Sequence, residues 1–264
     1  MRDARPRKSL GQHFLHDPAI IERILASIDP RAGEHFVEIG PGRGALTGPL
    51  LDHRIRLDVI ELDRDLAAAL PARFDDDQLS VHCADALKFD FHQLDDGPLR
   101  LVGNLPYNVS TPLLFHILAS SALFTDIHVK LQKVDVQRMA AAPGGRDYGR
   151  LTVSLAARCR VERLFDIRPG AFTPPPKVDS SFARLIPDAE RLAAIRDPAT
   201  FDRVVAAAFG QRRKQLGNSL RDWFTSEQLL SLDIDPKRRA ETLSLAEFQR
   251  LANSLATPAP GTPC

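Results

Sequence analysis

Short apolar runs alternate with amphipathic stretches along the first two-thirds of the chain. Runs with strand character fall at 36–39, 57–60, 79–82, 99–102 and 127–131. Between them, helical spacing of apolar positions predicts helices near 45–53, 66–73, 111–120 and 133–141. Ahead of the first strand, Asp17-Pro18 reads as an N-cap with proline at the first helical position. Ile20, Ile21, Ile24, Leu25 and Ile28 then fall on one face of the helix it starts. A strand–helix alternation of this kind predicts a parallel sheet with helices on both faces.

The pattern changes after residue 150. A helix is expected over 151–158, then two strands at 161–167 and 181–186 that flank Phe172-Thr173-Pro174-Pro175-Pro176-Lys177. No helical crossover fits between these strands, so an antiparallel last strand is expected. Beyond Pro187 the spacing is helical to about residue 256. This divides the chain into an α/β domain, 1–187, and a small all-α domain, 188–264.

Composition adds little to this picture, and charge adds more. Thirty-five Lys and Arg against thirty-four Asp and Glu leave a net charge of +1, which by itself argues against a nucleic-acid partner. The distribution argues otherwise: Arg5, Arg7 and Lys8 crowd the N-terminus, and Arg212, Arg213 and Lys214 form a triplet in the helical region. Such patches grip phosphate even when acidic residues elsewhere cancel them in the sum. No apolar run is long enough to span a bilayer. The three cysteines are scattered, with no Cys-x-x-Cys pair. A cytoplasmic protein without a metal site is therefore expected.

The candidate chemistry lies at the predicted strand ends. Gly40-Pro41-Gly42-Arg43-Gly44 follows the first main strand and opens a helix, where glycines let backbone approach a ligand. Alone, this loop also fits a nicotinamide dinucleotide site. Glu61 ends the second strand, where a carboxylate accepts both hydroxyls of a ribose. Asp85 follows the third and is placed to accept from an adenine amino group. With no phosphate-binding lysine, these elements resemble a class I S-adenosylmethionine site.

Asn104-Leu105-Pro106-Tyr107 follows the fourth strand. An exocyclic amine such as adenine N6 is a poor nucleophile, because its lone pair is delocalised into the ring. Two acceptors, the Asn104 side-chain oxygen and the Leu105 carbonyl, would hold its hydrogens and favour a tetrahedral nitrogen. Pro106 stiffens the loop. Tyr107 offers a face to an extruded base, with Phe172 as the candidate for the opposite face. No strong general base is evident beside Asn104, and positioning alone would carry much of the rate.

These segments, together with Lys8-Ser9-Leu10-Gly11-Gln12-His13-Phe14-Leu15, Tyr148-Gly149-Arg150-Leu151, Phe172–Ser180 and Phe209-Gly210-Gln211-Arg212-Arg213-Lys214, run in the order seen in one family. The chain resembles the ribosomal RNA adenine dimethyltransferases, most closely the bacterial small-subunit branch. That resemblance implies S-adenosylmethionine-dependent dimethylation of N6 on two adjacent adenosines near the 3′ end of 16S rRNA, in a hairpin loop within the small ribosomal subunit. A monomer suffices for that chemistry. It also implies cofactor contacts at His13, Leu15, Gly40, Gly42, Glu61, Asp85 and Asn104, and target-base contacts at Asn104 and Tyr107.

Two positions depart from the family pattern. His13 stands where asparagine is usual, and Val134-Asp135 stands where Glu-Val is usual. A DNA adenine methyltransferase and a large-subunit rRNA enzyme share the core chemistry. The helical C-terminal region with its Gln-Arg-Arg-Lys segment favours the small subunit. A nicotinamide oxidoreductase is disfavoured by Asn104–Tyr107, and a non-catalytic RNA-binding assembly factor by the intact set of strand-end residues.

Overall fold

The computed structural model describes residues 6–7, 10–74, 77–94, 97–211 and 213–255. Two compact units emerge. One ends at Val136 and resumes over Val161–Pro187; the other takes Gln137–Arg160 and the described chain from Asp188 onward.

The first unit is built on β1 (Phe14–Leu15), α1 (Pro18–Ile28), β2 (His35–Ile39), α2 (Thr47–Leu51), β3 (Arg56–Glu61), α3 (Arg64–Arg73), β4 (Leu79–Cys83), β5 (Leu99–Asn104), α4 (Ser110–Ala119) and β6 (Phe124–Gln132). After α5 (Lys133–Met139) and α6 (Arg150–Ala156), it closes with β7 (Cys159–Ile167), β8 (Phe172–Thr173) and β9 (Ser180–Pro187). Seven strands form one sheet in the order β4-β3-β2-β5-β6-β9-β7. The pairs β4–β3, β3–β2, β2–β5 and β5–β6 are parallel, and β9 lies antiparallel to β6. The last strand in sequence thus inserts between β6 and β7 rather than taking the edge.

Local chemistry explains the elements. Asp17 caps α1 by accepting from the amides of Ala19 and Ile20 at 3.0 and 3.3 Å. The apolar stripe then buries Ile24 and Ile28 against Phe36, Leu57 and Leu50, while Ile20, Ile21 and Leu25 pack at the margin. Each fully buried isoleucine contributes about 1.5–3 kcal/mol. The central strands β2, β3 and β5 are covered on both faces, so they read as nearly continuous apolar runs.

The pairing of β1 with β8 was not apparent in the sequence, because two residues carry no periodicity. Phe14 pairs with Thr173 and Leu15 with Phe172. This small sheet brings the 10–15 segment beside the proline-rich loop, with His13 Nδ1 2.7 Å from the Pro174 carbonyl.

The second unit contains α6, α7 (Ala189–Ala193), α8 (Pro198–Phe209), α9 (Leu216–Ser219), α10 (Ser226–Ser231) and α11 (Leu245–Leu255). Its core joins Phe201, Val204, Val205 and Phe248 to Tyr148, Val153 and Ala157. The Tyr148 hydroxyl donates to the Leu243 carbonyl at 2.8 Å. Residues 137–160, expected with the α/β domain, therefore belong with the helices, since their apolar side chains are buried there. No helix among the described residues is long and apolar enough to cross a membrane.

Candidate active site

The carboxyl ends of β2, β3, β4 and β5 meet at one edge of the sheet, beside the point where strand order reverses. Open α/β sheets bind ligands at this position. A cavity of about 290 Å³ lies there. It is lined by His13, Leu15, Gly40, Gly42, Glu61, Asp85, Asn104, Leu105 and Pro106, all anticipated from the sequence, and also by Glu38 and Lys130.

The glycine loop leaves β2 through positive φ at Gly40 (68°) and Gly42 (58°), which L-residues rarely adopt. A Cβ on Gly42 would also stand 3.0 Å from the Phe14 ring. This turn aims the Gly42 amide at Glu61, which accepts from it at 3.0 Å and from the Asp63 amide at 2.9 Å. Burial pushes the Glu61 carboxyl upward, and hydrogen bonds from the backbone amides of Asp63, Gly42 and Leu62 oppose that shift. A carboxylate has about four acceptor positions, so the two close amides leave capacity for a diol. Asp85 sits in the turn after β4 and accepts from the Leu87 amide at 3.0 Å through one oxygen.

Asn104 ends β5. Its amide donates to the His13 carbonyl at 3.1 Å, which orients the side chain. Its Oδ1 is buried and has no hydrogen-bond partner. A buried acceptor without a donor costs about 1–3 kcal/mol, so this oxygen is held ready for a ligand's N–H.

Tyr107 and Phe172 do not line the cavity itself. Tyr107 is half-buried with its hydroxyl 2.6 Å from Ser180 Oγ, and the His13 ring lies 5.7 Å away, centroid to centroid. Phe172 is buried in the core of the sheet unit. What reaches both rings is Lys130, whose Nζ sits 4.1 Å from the centroid of Tyr107 and 5.2 Å from that of Phe172.

Two residues of this site escaped the sequence reading. Glu38, in β2, is buried, and burial raises its carboxyl to about 7, opposed by a hydrogen bond from the Thr47 hydroxyl at 2.6 Å. Lys130 lies within the apolar run of β6. A charged residue inside each hydrophobic strand was the available signal.

The basic residues divide. Arg5, Lys8 and Arg212 lie outside the described residues. Arg7 is about half exposed, but its guanidinium pairs with Asp63 and Asp65. Arg213 and Lys214 are exposed in the turn between α8 and α9.

The sheet order and its strand-end cavity are those of a class I methyltransferase. The dimethyladenosine transferase of Plasmodium falciparum matches it with a TM-score of 0.77 at 25% identity, over 90% of this chain and 96% of that one. The 23S rRNA methyltransferase ErmE matches with a TM-score of 0.66 at 25% identity, over 92% and 99%. Residues 4–257 match the model of the ribosomal RNA adenine dimethylase family, and the chain belongs to that family. It is 52% identical over 255 residues to the ribosomal RNA small subunit methyltransferase A of Pseudomonas aeruginosa, covering 96% of this chain and 95% of that protein. Identity to the protein of the same name from Laribacter hongkongensis is 52% over 249 residues, covering 94% and 95%.

Proposed function

We propose that this enzyme dimethylates N6 of two adjacent adenosines in a hairpin loop near the 3′ end of 16S rRNA, within the small ribosomal subunit. S-adenosylmethionine is the donor in this reading. The single observation that carries it is the buried, unpartnered Oδ1 of Asn104 at the strand-end cavity. The small-subunit names of relatives about half identical to this chain support the choice of RNA.

The cavity suits a cofactor with ribose and adenine but no phosphate. Glu61 retains acceptor capacity for ribose hydroxyls, Asp85 is placed for the adenine amino group, and Gly40, His13 and Leu15 offer close backbone approach. When bound, S-adenosylmethionine supplies an electrophilic methyl whose bond to sulfur breaks with its electron pair left on sulfur. The protein's part is to position the nucleophile. Asn104 Oδ1 accepts one N6 hydrogen and the Leu105 carbonyl another, drawing the nitrogen lone pair out of ring conjugation. Tyr107 supplies aromatic surface to the extruded base. Holding the amine in line converts a bimolecular encounter into an intramolecular one. Arg213 and Lys214, with Arg5, Lys8 and Arg212, grip RNA phosphates. The enzyme works in the cytoplasm as a monomer.

The test supplies labelled cofactor with unmethylated small subunits, free rRNA or DNA, then reads the RNA by primer extension. Dimethylated N6 has no hydrogen left for pairing, so extension stops at the two adenosines. Label on DNA alone, or on no substrate, overturns the reading.

A further inference from the structure

Tyr107 stands in the loop after β5, yet its hydroxyl is tied to β9, two strands away in the sheet. Because β9 runs antiparallel to β6, its first residue, Ser180, arrives at the edge where the parallel strands end. There it pairs in register with Gln132, the last residue of β6. The Ser180 side chain is fully buried, and its Oγ lies 2.6 Å from the Tyr107 hydroxyl oxygen. A buried hydroxyl needs a partner, and here two hydroxyls satisfy each other. The backbone around Ser180 is anchored on both sides. The Lys133 amide donates to the Asp179 carbonyl at 3.0 Å, and the Ser181 hydroxyl donates to Asp166 at 2.6 Å.

A stacked base takes its plane from the ring beneath it. That plane is fixed when the long axis of the ring and its rotation about that axis are both set. The long axis of Tyr107 runs from Cβ, on the loop stiffened by Pro106, to the hydroxyl at Ser180. Rotation about it is limited by Lys130 Nζ, 4.1 Å from the ring centroid, and by the His13 ring, 5.7 Å away.

We propose that Ser180 is a positioning residue for the target adenine: by holding the Tyr107 hydroxyl it sets the plane in which N6 meets the Asn104 acceptor. This rests on the reading of Tyr107 as the platform for that base. Ser180 acts through the ring and touches neither base nor cofactor. Without its hydroxyl the ring keeps its aromatic surface but is free to tilt, so the base still binds yet spends less time in line with the methyl. The loss therefore falls on the rate of the bound complex and not on particle binding. Ser181 is the natural comparison, because it is equally buried and hydrogen-bonded but points to the opposite face of β9.

Single-turnover methylation of unmethylated small subunits, at saturating cofactor and over a range of particle concentrations, tests this. Ser180→Ala should lower the saturated rate about tenfold, with the half-saturating particle concentration within about threefold of wild type. Tyr107→Phe removes the same bond from its other end and should match it. The double variant should then be no more than about twofold slower than either single one, because both remove one interaction. Ser181→Ala should keep the rate within about threefold of wild type. Cofactor affinity within about threefold of wild type, measured by calorimetry, shows the cavity folded in each variant. If Ser180→Ala does not fold, Ser180→Cys, with a weak donor in nearly the same volume, takes its place in the comparison. Four results overturn the proposal: a Ser180→Ala rate within about twofold of wild type, a double variant about 100-fold slower than wild type, an equal loss in Ser181→Ala, or a loss confined to particle binding. Tyr107→Ala separates these from failure of the underlying reading. It should be about 100-fold slower where the ring carries the base, and a wild-type rate there removes the platform itself.

Discussion

Replacing Asn104 with alanine separates what this residue does for the fold from what it does for the reaction. In the folded protein its side chain makes one hydrogen bond, from the amide to the His13 carbonyl at 3.1 Å. Losing that bond costs about 1 kcal/mol. The same substitution removes a buried oxygen with no partner, relieving a penalty of about 1–3 kcal/mol. Asn104 borders an open cavity, so truncation creates no sealed void. The net effect is a protein as stable as wild type or up to about 2 kcal/mol more stable, which corresponds to a Tm about 0–6 °C higher. The reaction responds in the opposite direction. Losing one preorganised group aimed at the reacting nitrogen lowers the rate about 10²–10³-fold. Differential scanning fluorimetry of the cofactor-free protein reads the first effect, and label transfer to unmethylated small subunits reads the second. A Tm lowered by more than about 4 °C would mean that the oxygen is satisfied and the residue structural. A rate within threefold of wild type would refute its role as an acceptor.

The remaining predictions concern two carboxylates of the cavity and the exposed basic residues after α8. Glu61→Gln keeps the shape but cannot accept at both positions, so cofactor Kd should rise about 30–1,000-fold for a loss of about 2–4 kcal/mol in charge-assisted bonds; calorimetry showing less than a threefold change contradicts the ribose assignment. Glu38 is raised on folding from 4.5 to about 7, so its stabilising contribution is complete below pH 4.5 and is lost as pH rises through 7. Glu38→Gln, which mimics the protonated acid, should therefore be more stable at pH 8 by up to about 3 kcal/mol and indistinguishable at pH 4.5; urea melts at the two pH values check the sign. Arg213→Glu with Lys214→Glu should weaken small-subunit binding and reduce the slope of log K against log salt by about 1.5, with cofactor affinity unchanged. An unaltered slope removes these two residues from the RNA contact.

Much of the site was legible before any fold was known, and for a local reason. Gly40, Gly42, Glu61, Asp85 and Asn104 each sit where an apolar run stops, and a parallel sheet brings the ends of such runs to one edge. Position along the chain therefore translates directly into position in space. The family segments, in their order, carried the rest: activity and substrate class.

Other features depended on contacts between distant segments. Phe14-Leu15 and Phe172-Thr173 become strands only by meeting each other. Residues 137–160 join the helical unit because Tyr148, Val153 and Ala157 find their apolar partners there. Arg7, counted among the basic residues of the arm, meets Asp63 and Asp65 at the start of α3, which no composition reveals.

Strand periodicity and turn chemistry, which are short-range, determined the α/β core, its strand-end edge and the Asn104 loop from sequence alone. Burial and protonation were decided only by the tertiary structure. The solvation of Glu38 and Lys130, and hence the charge each carries near neutral pH, depends on which surfaces close over them. That is a sum over neighbours far apart in the chain, so the sequence shows a lysine in an apolar run and the fold makes it a dry side chain in register with Asn104.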